Sequence, residues 1–223
     1  MVPFMLCSIY YVPSQQFPFI GDSRCQKLRT SLYHTLSKLL FTKSRGSWHN
    51  AEEIFTSFVR PIAMLGMEAG AALAQGSQDP SLDGHIVGFC RDLTGIMGAA
   101  STRQEYRLVF EWFIPTFTDV LRTVIEACAD KPMITNLVLK LMADVAHNRA
   151  GRIVFPQSST GGLVLFRESA KIIITYGRGV LQSQVDVPSD MLYSHRFKGI
   201  AICLKLLTHL LTGGYVNFGI FEL

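Results

Sequence analysis

The stretch TRQEYRLVFEWFIPTFTDVLRTVIEA (102–127) contains the pattern that decides the fold. Thr102 followed by Glu105 is the capping-box pair that begins many α-helices, because each side chain can bond the other's backbone N–H. Pro115 predicts an interruption further on, since proline removes a backbone donor and clashes with the preceding turn. Apolar residues recur at the three-to-four spacing of one helix face, at Tyr106, Val109, Phe110, Phe113, Phe117, Val120, Leu121 and Val124.

Upstream of this stretch the same period predicts amphipathic helices over about 22–42, over 50–75 and from 81 onward. Asn50 is the predicted N-cap of the second of these, and Pro61 predicts a bend or break inside it. In the first helix, the apolar stripe is formed by Cys25, Leu28, Leu32, Leu36, Leu39 and Leu40, with Arg24, Lys27, Arg29 and Lys38 mostly off it.

Downstream, Pro132 suits the first turn of a helix that ends near Asn148, because a proline there loses no helical hydrogen bond. Another helix is predicted over 163–177, and Ser189 can cap the last full helix. That last helix has an apolar stripe at Tyr193, Phe197, Ile200, Leu204, Leu207 and Leu211, and it ends at Gly213 and Gly214.

Seven helices joined by short loops predict an all-α fold. The helix pairs start at about residues 22, 81, 132 and 189, at intervals of 51 to 59 residues, which indicates a loose repeat. The expected architecture is an α-solenoid of HEAT-like antiparallel helix pairs, an α-α superhelix. The predicted units are an irregular segment at 1–21, pairs at about 22–75, 81–129 and 132–181, and an incomplete pair at 189–223. The closing run YVNFGIFEL (215–223) resembles the opening of a further element, so we expect an interior piece of a longer protein.

Composition excludes several classes of function. Hydrophobic residues make up 48% of the chain and charged residues 17%, which suits helices buried on more than one side. The net charge of +4 is carried by scattered lysines and arginines, so nucleic-acid binding is not expected. Five cysteines, far apart and odd in number, indicate free thiols in a reducing compartment. No secretory signal or membrane span is predicted.

Residues that could do chemistry are isolated from one another. The six histidines are far apart, and Asp144 with His147 is more typical of a charge contact at a helix end than of a metal site. The Gly161–Gly162 pair precedes a helix, but a flexible turn is favoured over an anion cradle because no phosphate-loop motif is present. Single acidic positions in helices indicate a solvated face, as at Asp92, Glu111 and Asp119.

These patterns predict neither an enzyme nor a cofactor-binding protein, although a site built from residues distant in sequence stays open as an alternative. Phe110, Trp112, Phe113 and Phe117 could anchor a partner, but their helical spacing favours the core. Basic residues on the second helix of each pair could line a concave protein-binding surface, with solvated charge as the alternative. These candidate protein-binding residues are Arg122, Lys171 and Arg178.

Six stretches resemble the exportin 7 group of the importin-β (karyopherin) family, which includes Ran-binding proteins 16 and 17. They are RDLTGI (91–96), LVFEWFIPTF (108–117), LVLKLMADVAHNR (137–149), GLVLFRESAKIIITYG (162–177), KGIAICLKLL (198–207) and GGYVNFGIFEL (213–223). With the spacing between them, the similarity extends over about 22–223, whereas residues 1–21 do not match the family.

The resemblance implies a nuclear transport receptor, or exportin, built from HEAT repeats. It implies that the full-length protein binds cargo proteins and the GTP form of the small GTPase Ran. It also implies contacts with phenylalanine–glycine repeats of the nuclear pore and shuttling between nucleus and cytoplasm. A general helical-repeat scaffold unrelated to transport is the alternative interpretation.

Overall fold

The computed structural model describes residues 22, 25–44, 51–77, 79–156, 159–182 and 188–215. The described residues form eight α-helices: α1 (Gln26–Ser44), α2 (Ala51–Ala74), α3 (Pro80–Ala99), α4 (Arg103–Phe113), α5 (Thr116–Ala127), α6 (Pro132–Ala146), α7 (Gly161–Gln182) and α8 (Lys198–Thr212). A 3₁₀ turn at Arg149–Gly151 follows α6, and a π-helical turn at Tyr193–Phe197 leads into α8. The predicted cap Asn50, the segment 1–21 and the apolar end from 216 lie outside the described residues.

The chain divides into two compact units, Met1–Ala100 and Ser101–Leu223. The first contains α1 to α3 and the second contains α4 to α8. The predicted boundaries of the helix pairs stay a prediction.

In the first unit, α1 and α3 run parallel in direct contact. Arg29 bonds Asp92, and further along both helices the Thr30 carbonyl oxygen and the His34 backbone lie against Gly95. Because residue numbers rise together on the two helices, their directions agree. Helix α2 runs antiparallel to its neighbours and packs its buried side chains on α3.

The buried face of α1 differs from the predicted stripe. Leu28 and Leu39 are 52% and 55% exposed, whereas Arg29 is buried. Arg29 donates from Nε to Asp92 Oδ1 at 2.8 Å and from Nη2 to Asp92 Oδ2. Gly88 on α3 supplies the room, because a Cβ there would lie 2.9 Å from the guanidinium. The prediction that Asp92 lies on a solvated face is therefore wrong: a buried ion pair replaces solvent.

Two predicted interruptions by proline have different outcomes. Of the bend or break predicted at Pro61, the break is wrong, because α2 continues through this residue, and the bend stays a prediction. The lost backbone bond at one position is offset by burial of neighbouring apolar side chains, among them Phe58, Val59 and Ile62. At Pro115 the break is confirmed, because α4 ends at Phe113 and α5 begins at Thr116.

The predicted capping box at the start of α4 is confirmed. The Thr102 hydroxyl accepts from the Glu105 N–H at 3.3 Å, and Glu105 Oε2 accepts from the Thr102 N–H at 3.0 Å. Glu105 is itself fully buried, and the same carboxylate oxygen also accepts from Ser101.

Helices in the second unit form two layers of parallel neighbours. Helices α6 and α8 are parallel, because Asn136 faces Gly199 and Ala143 faces His209. Helices α5 and α7 pack together with their carboxyl ends side by side, where a Cβ at Gly179 would lie 3.2 Å from that of Ala129. Consecutive helices α5, α6 and α7 are joined in antiparallel order. This is the packing of successive antiparallel helix pairs, in which like helices stack on like.

The carboxyl end of α6 is bonded by side chains from four separate segments. The last four carbonyl groups of an α-helix have no helical partner. His209 Nδ1 contacts the Ala143 oxygen at 2.9 Å, and Arg152 Nη2 donates to the Asp144 oxygen at 2.8 Å. The hydroxyl groups of two tyrosines complete the set at 2.9 Å each, Tyr106 on the Val145 oxygen and Tyr215 on the Ala146 oxygen.

The cap at the end of α6 is also suited electrostatically to its position. Burial raises the pKa of Tyr106 and the pKa of Tyr215, so both hydroxyl groups stay protonated and able to donate. The buried Arg152 guanidinium lies 5.1 Å from the Tyr106 ring centroid, in cation–π contact. Its positive charge lies where the helix dipole is negative.

The last helix has two apolar faces. Its buried face is formed by Gly199, Ile202, Cys203, Leu206 and Leu210. The predicted stripe is instead mostly exposed, with Phe197 at 54%, Leu204 at 60% and Leu211 at 63%. Helical backbone begins with the π-helical turn at Tyr193, and Leu192 occupies its N-cap position, so the predicted cap at Ser189 is wrong. The small residue Gly199 selects the buried face, because Tyr176 and Asn136 occupy the space that a Cβ would need.

The predicted fold class is confirmed: the described residues form an all-α structure of packed antiparallel helix pairs, the arrangement of an α-solenoid. The count of seven helices is corrected to eight in the described part, because Pro115 divides one predicted helix into two.

Close packing of α1 on α3 can be tested at Gly95. A Cβ there would lie 2.5 Å from the Thr30 carbonyl oxygen and 2.9 Å from the His34 nitrogen, both backbone atoms. We expect Gly95→Ala to lower the free energy of unfolding by about 1–3 kcal/mol. Gly84→Ala on the same helix is the control, because nothing lies within 4 Å of its Cβ. It should stabilise by up to about 1 kcal/mol. Urea denaturation measures both, and equal effects would contradict the close approach.

The α6 cap can be tested at Tyr106. Tyr106→Phe keeps the ring but leaves the buried Val145 carbonyl without this donor, so we expect a loss of about 1–3 kcal/mol in unfolding free energy. Tyr193→Phe is the matched control, because Tyr193 is 64% exposed. It should change stability by less than about 0.5 kcal/mol. An unchanged stability of the Tyr106 variant in urea denaturation would refute the proposed importance of the cap.

Candidate protein-binding surface

The three predicted binding residues lie on two adjacent parallel helices. Arg122 is on α5, and Lys171 and Arg178 are on α7. Ala129, just after α5, lies beside Gly179 on α7. Because both helices rise 1.5 Å per residue, Arg122 lies at about the same height along the helix axes as Lys171. Arg178 is exposed, and it lies one helical turn before the end of α7.

Five exposed residues of α7 form one row, here called the α7 ridge. At 100° per residue their directions fall within an arc of about 80°. Two members are aliphatic, Leu163 at 38% exposure and Ile174 at 53%. The other three are basic: Arg167, Lys171 and Arg178. The opposite face of the same helix is formed by five buried residues, Leu165, Glu168, Ser169, Ile172 and Tyr176.

A buried carboxylate supports the ridge from below. The Glu168 side chain is 3% exposed, and its carboxylate accepts from Arg167 Nε at 2.8 Å and from Lys171 Nζ at 3.1 Å. Burial opposes ionisation of Glu168, but hydrogen bonds from Lys171 and Arg167, together with their charges, outweigh it and lower its pKa. The two basic side chains are thereby held side by side while their outer surfaces remain exposed.

On α5 the single arginine lies between two carboxylates. Arg122 Nη1 bonds Glu126 Oε1 at 3.1 Å, and Arg122 Nη2 lies 3.8 Å from Asp119 Oδ1. Asp119 and Glu126 are more than half exposed, as is Glu111 on α4. The prediction of a solvated face for Asp119 and Glu111 is confirmed.

The aromatic cluster forms core, as predicted. Phe110, Phe113 and Phe117 are buried, and Trp112 packs against Phe117 with ring centroids 4.7 Å apart. Phe155 from the loop after α6 covers Phe110 with ring centroids 4.9 Å apart. These rings therefore position the helices and leave little aromatic surface for a partner.

The Asp144–His147 pair is at the end of α6. His147 stacks on His209 with ring centroids 4.4 Å apart, and partial burial together with the charges of His209 and Arg149 lowers the pKa of His147. Within the described part of the chain, no three metal-ligating side chains come together, and no helix is long and apolar enough to cross a bilayer.

The Gly161–Gly162 pair has a packing role that the sequence reading missed. A Cβ at Gly161 would lie 2.5 Å from the Phe155 ring, and one at Gly162 would collide with the Tyr215 carbonyl oxygen. Both glycines lie inside the first turn of α7. The predicted flexible turn is therefore wrong: the glycines allow two segments to approach the helix.

Arg167 is a member of the ridge that the sequence analysis did not single out. The sequence does contain a pattern that could have identified it. From Leu163, basic or aliphatic residues follow at spacings of four, four, three and four, which is a helical period, but one that combines two residue classes. Its bond to Glu168 could not be read from that spacing.

Antiparallel helix pairs stacked like on like define a helical-repeat protein. Comparison with known proteins is more specific. The chain is 34% identical over 210 residues to exportin-7 of Dictyostelium discoideum. It is 35% identical over 220 residues to exportin-7-B of Xenopus laevis and 34% identical over 218 residues to human Ran-binding protein 17.

Each of these alignments covers 94% of this chain and 19–20% of the relative, so the chain spans about one fifth of the length of the curated relatives it matches. The predicted resemblance to the exportin 7 group is confirmed. No family model matches the chain. No solved structure matches it either.

The electrostatic support of the ridge predicts a pH-dependent contribution from Glu168. Because folding lowers the pKa of Glu168 below its ordinary value of 4.5, the unfolded chain takes up a proton first as pH falls. The stabilisation is therefore fully present above about pH 4.5 and is lost below it. We expect Glu168→Gln to destabilise at about pH 7 and to have a smaller effect at about pH 3.

The control for this measurement is Glu111→Gln. Glu111 pairs with Arg107 at a surface site where both side chains are more than half exposed, so its effect should be small at either pH. Urea titrations at the two pH values compare the variants. A Glu168 effect of equal size at both would contradict the assignment.

Proposed function

We propose that this chain is a segment of an exportin-like nuclear transport receptor. In the full-length protein it contributes helical scaffold and protein-binding surface to a receptor that carries cargo proteins between nucleus and cytoplasm and binds Ran in its GTP state. The observation that carries the proposal is the 34–35% identity to exportin-7 and Ran-binding protein 17 along nearly the whole chain.

The packing of the described helices suits this task physically. Stacked helix pairs contact only their neighbours, so small rotations between pairs add up and adapt a long surface to large partners. The outer residues of α5 and α7, including Arg122, Lys171 and Arg178, are offered as part of such a surface. Arg122 and Lys171 are each bonded by carboxylates of their own helix, and the buried faces of these helices maintain the scaffold.

The proposal includes no catalytic role and no cofactor. Contacts with phenylalanine–glycine repeats of the nuclear pore would allow passage, and shuttling would place the protein in both nucleus and cytoplasm. Nucleic acid is not a proposed partner of the α7 ridge, because its apolar members are aliphatic and offer bases no aromatic ring to stack on.

Binding of the full-length gene product to Ran tests the proposal. We expect capture by Ran locked in its GTP state and not by Ran loaded with GDP, measured by pull-down and surface plasmon resonance. The GDP form is the control, because it is the same GTPase with its switch loops released by loss of the γ-phosphate. Equal capture by both forms, or by neither, would count against a transport receptor. Nucleotide-independent binding of other proteins would favour a general helical scaffold instead.

A further inference from the structure

The α7 ridge is a continuous outer surface with one sign of charge. Its five residues span Leu163 to Arg178, about 22 Å along the helix at 1.5 Å per residue. None of the five is acidic. The side chains of Arg167 and Lys171 remain 62% and 48% exposed even though they bond Glu168.

Three acidic groups on or near this surface are already engaged, and Asp130 is an exposed carboxylate in the loop after α5, one residue from Ala129. Glu168 lies beneath the ridge and is bonded by Arg167 and Lys171. On the adjacent helix α5, Asp119 and Glu126 flank Arg122 and pair with it. The ridge therefore presents three cationic groups over one buried carboxylate, and its outermost layer is basic.

Aliphatic side chains separate the basic ones. Ile174 lies three residues from Lys171 and four from Arg178, so an apolar contact site is flanked by two cations. Leu163 gives a second apolar site one turn before Arg167. A partner that fits this row needs carboxylates to pair with the cations and apolar side chains to cover the aliphatic positions. An acidic amphipathic helix supplies both along one face.

We propose that the α7 ridge binds an acidic amphipathic segment of a partner protein, lying along α7 for about four turns. The inference rests on the proposed function in that it names the chemistry of one partner surface of the receptor. Peptide binding to the ridge does not require Ran, so this inference and the proposed function can fail separately. A polyanion such as nucleic acid fits less well, because the apolar positions are aliphatic and offer bases no ring to stack on.

Binding of a labelled peptide to the 223-residue chain tests the proposal. The probe is a fluorescein-labelled helical peptide of about 15 residues with leucine on one face and glutamate on the other. A peptide with glutamine in place of every glutamate is its matched partner. We expect fluorescence anisotropy to show saturable binding of the acidic peptide, at least about tenfold tighter than the glutamine peptide, and weakening as salt rises.

Variants locate the site. Lys171→Glu with Arg178→Glu should weaken binding of the acidic peptide about tenfold or more, and Ile174→Gln should weaken both peptides. Lys140→Glu is the control, because Lys140 is an exposed cation on α6 away from the ridge. Circular dichroism confirms that each variant keeps its helix content.

Three outcomes would overturn the proposal. One is equal binding of the acidic and glutamine peptides, and another is equal weakening by Lys140→Glu and by the double variant. The third is binding of a single-stranded oligonucleotide at the same residues as tightly as the acidic peptide, which would make the ridge a general polyanion surface. Loss of Ran binding by the full-length protein with peptide binding retained would sink only the transport function.

Discussion

The carboxyl end of α6 holds the second unit together, because four carbonyl groups there need donors that the helix cannot provide. The donors come from α4, from the loop after α6, from α8 and from Tyr215, with distances of 2.8–2.9 Å. Buried carbonyl groups without partners are costly, so each of these segments is fixed against one helix end. The layers of α5 with α7 and of α6 with α8 are thereby kept in register, and the outer face of α7 is presented on a rigid support.

In the first unit, glycines and a buried ion pair fix the helices against each other, as the α6 cap does in the second unit. Gly88 and Gly95 bring α3 close to α1, and the Arg29–Asp92 pair occupies the space that results. Removing one member of such a pair would leave a buried charge without its partner, so the pair strongly constrains which residues can face each other. In both units small residues set the distance between parallel helices, and larger apolar side chains fill what remains. Outer faces such as the α7 ridge are then free to differ in chemistry without disturbing the stack.

Periodicity was sufficient to predict the helices, the break at Pro115 and the burial of Phe110, Phe113 and Phe117, because apolar spacing and capping pairs are local signals. It was insufficient wherever a helix has apolar residues on two sides. In α8 the stripe through Leu204 and Leu211 is as regular as the one through Cys203 and Leu210, and only contacts with α6 and α7 decide which is buried. Asp92 and Arg29 were misread for a different reason, because their ion pair joins residues 63 positions apart and periodicity is a local signal. For the candidate surface, the basic positions on α7 were recognisable, whereas the buried Glu168 that organises them was not.

The long sequence separation within the α6 cap affects how the chain is made in a cell. Contacts of the first unit are complete once residue 100 has been synthesised. In the second unit, Tyr106 reaches its carbonyl acceptor as soon as α6 exists, but the Ala146 oxygen must wait for Tyr215. At roughly 5–20 residues per second, ribosomes need about 3–14 s to pass from Ala146 at the end of α6 to Tyr215, 69 residues later. During that interval the Ala146 carbonyl oxygen lacks its tyrosine donor, and the end of α6 is incompletely capped.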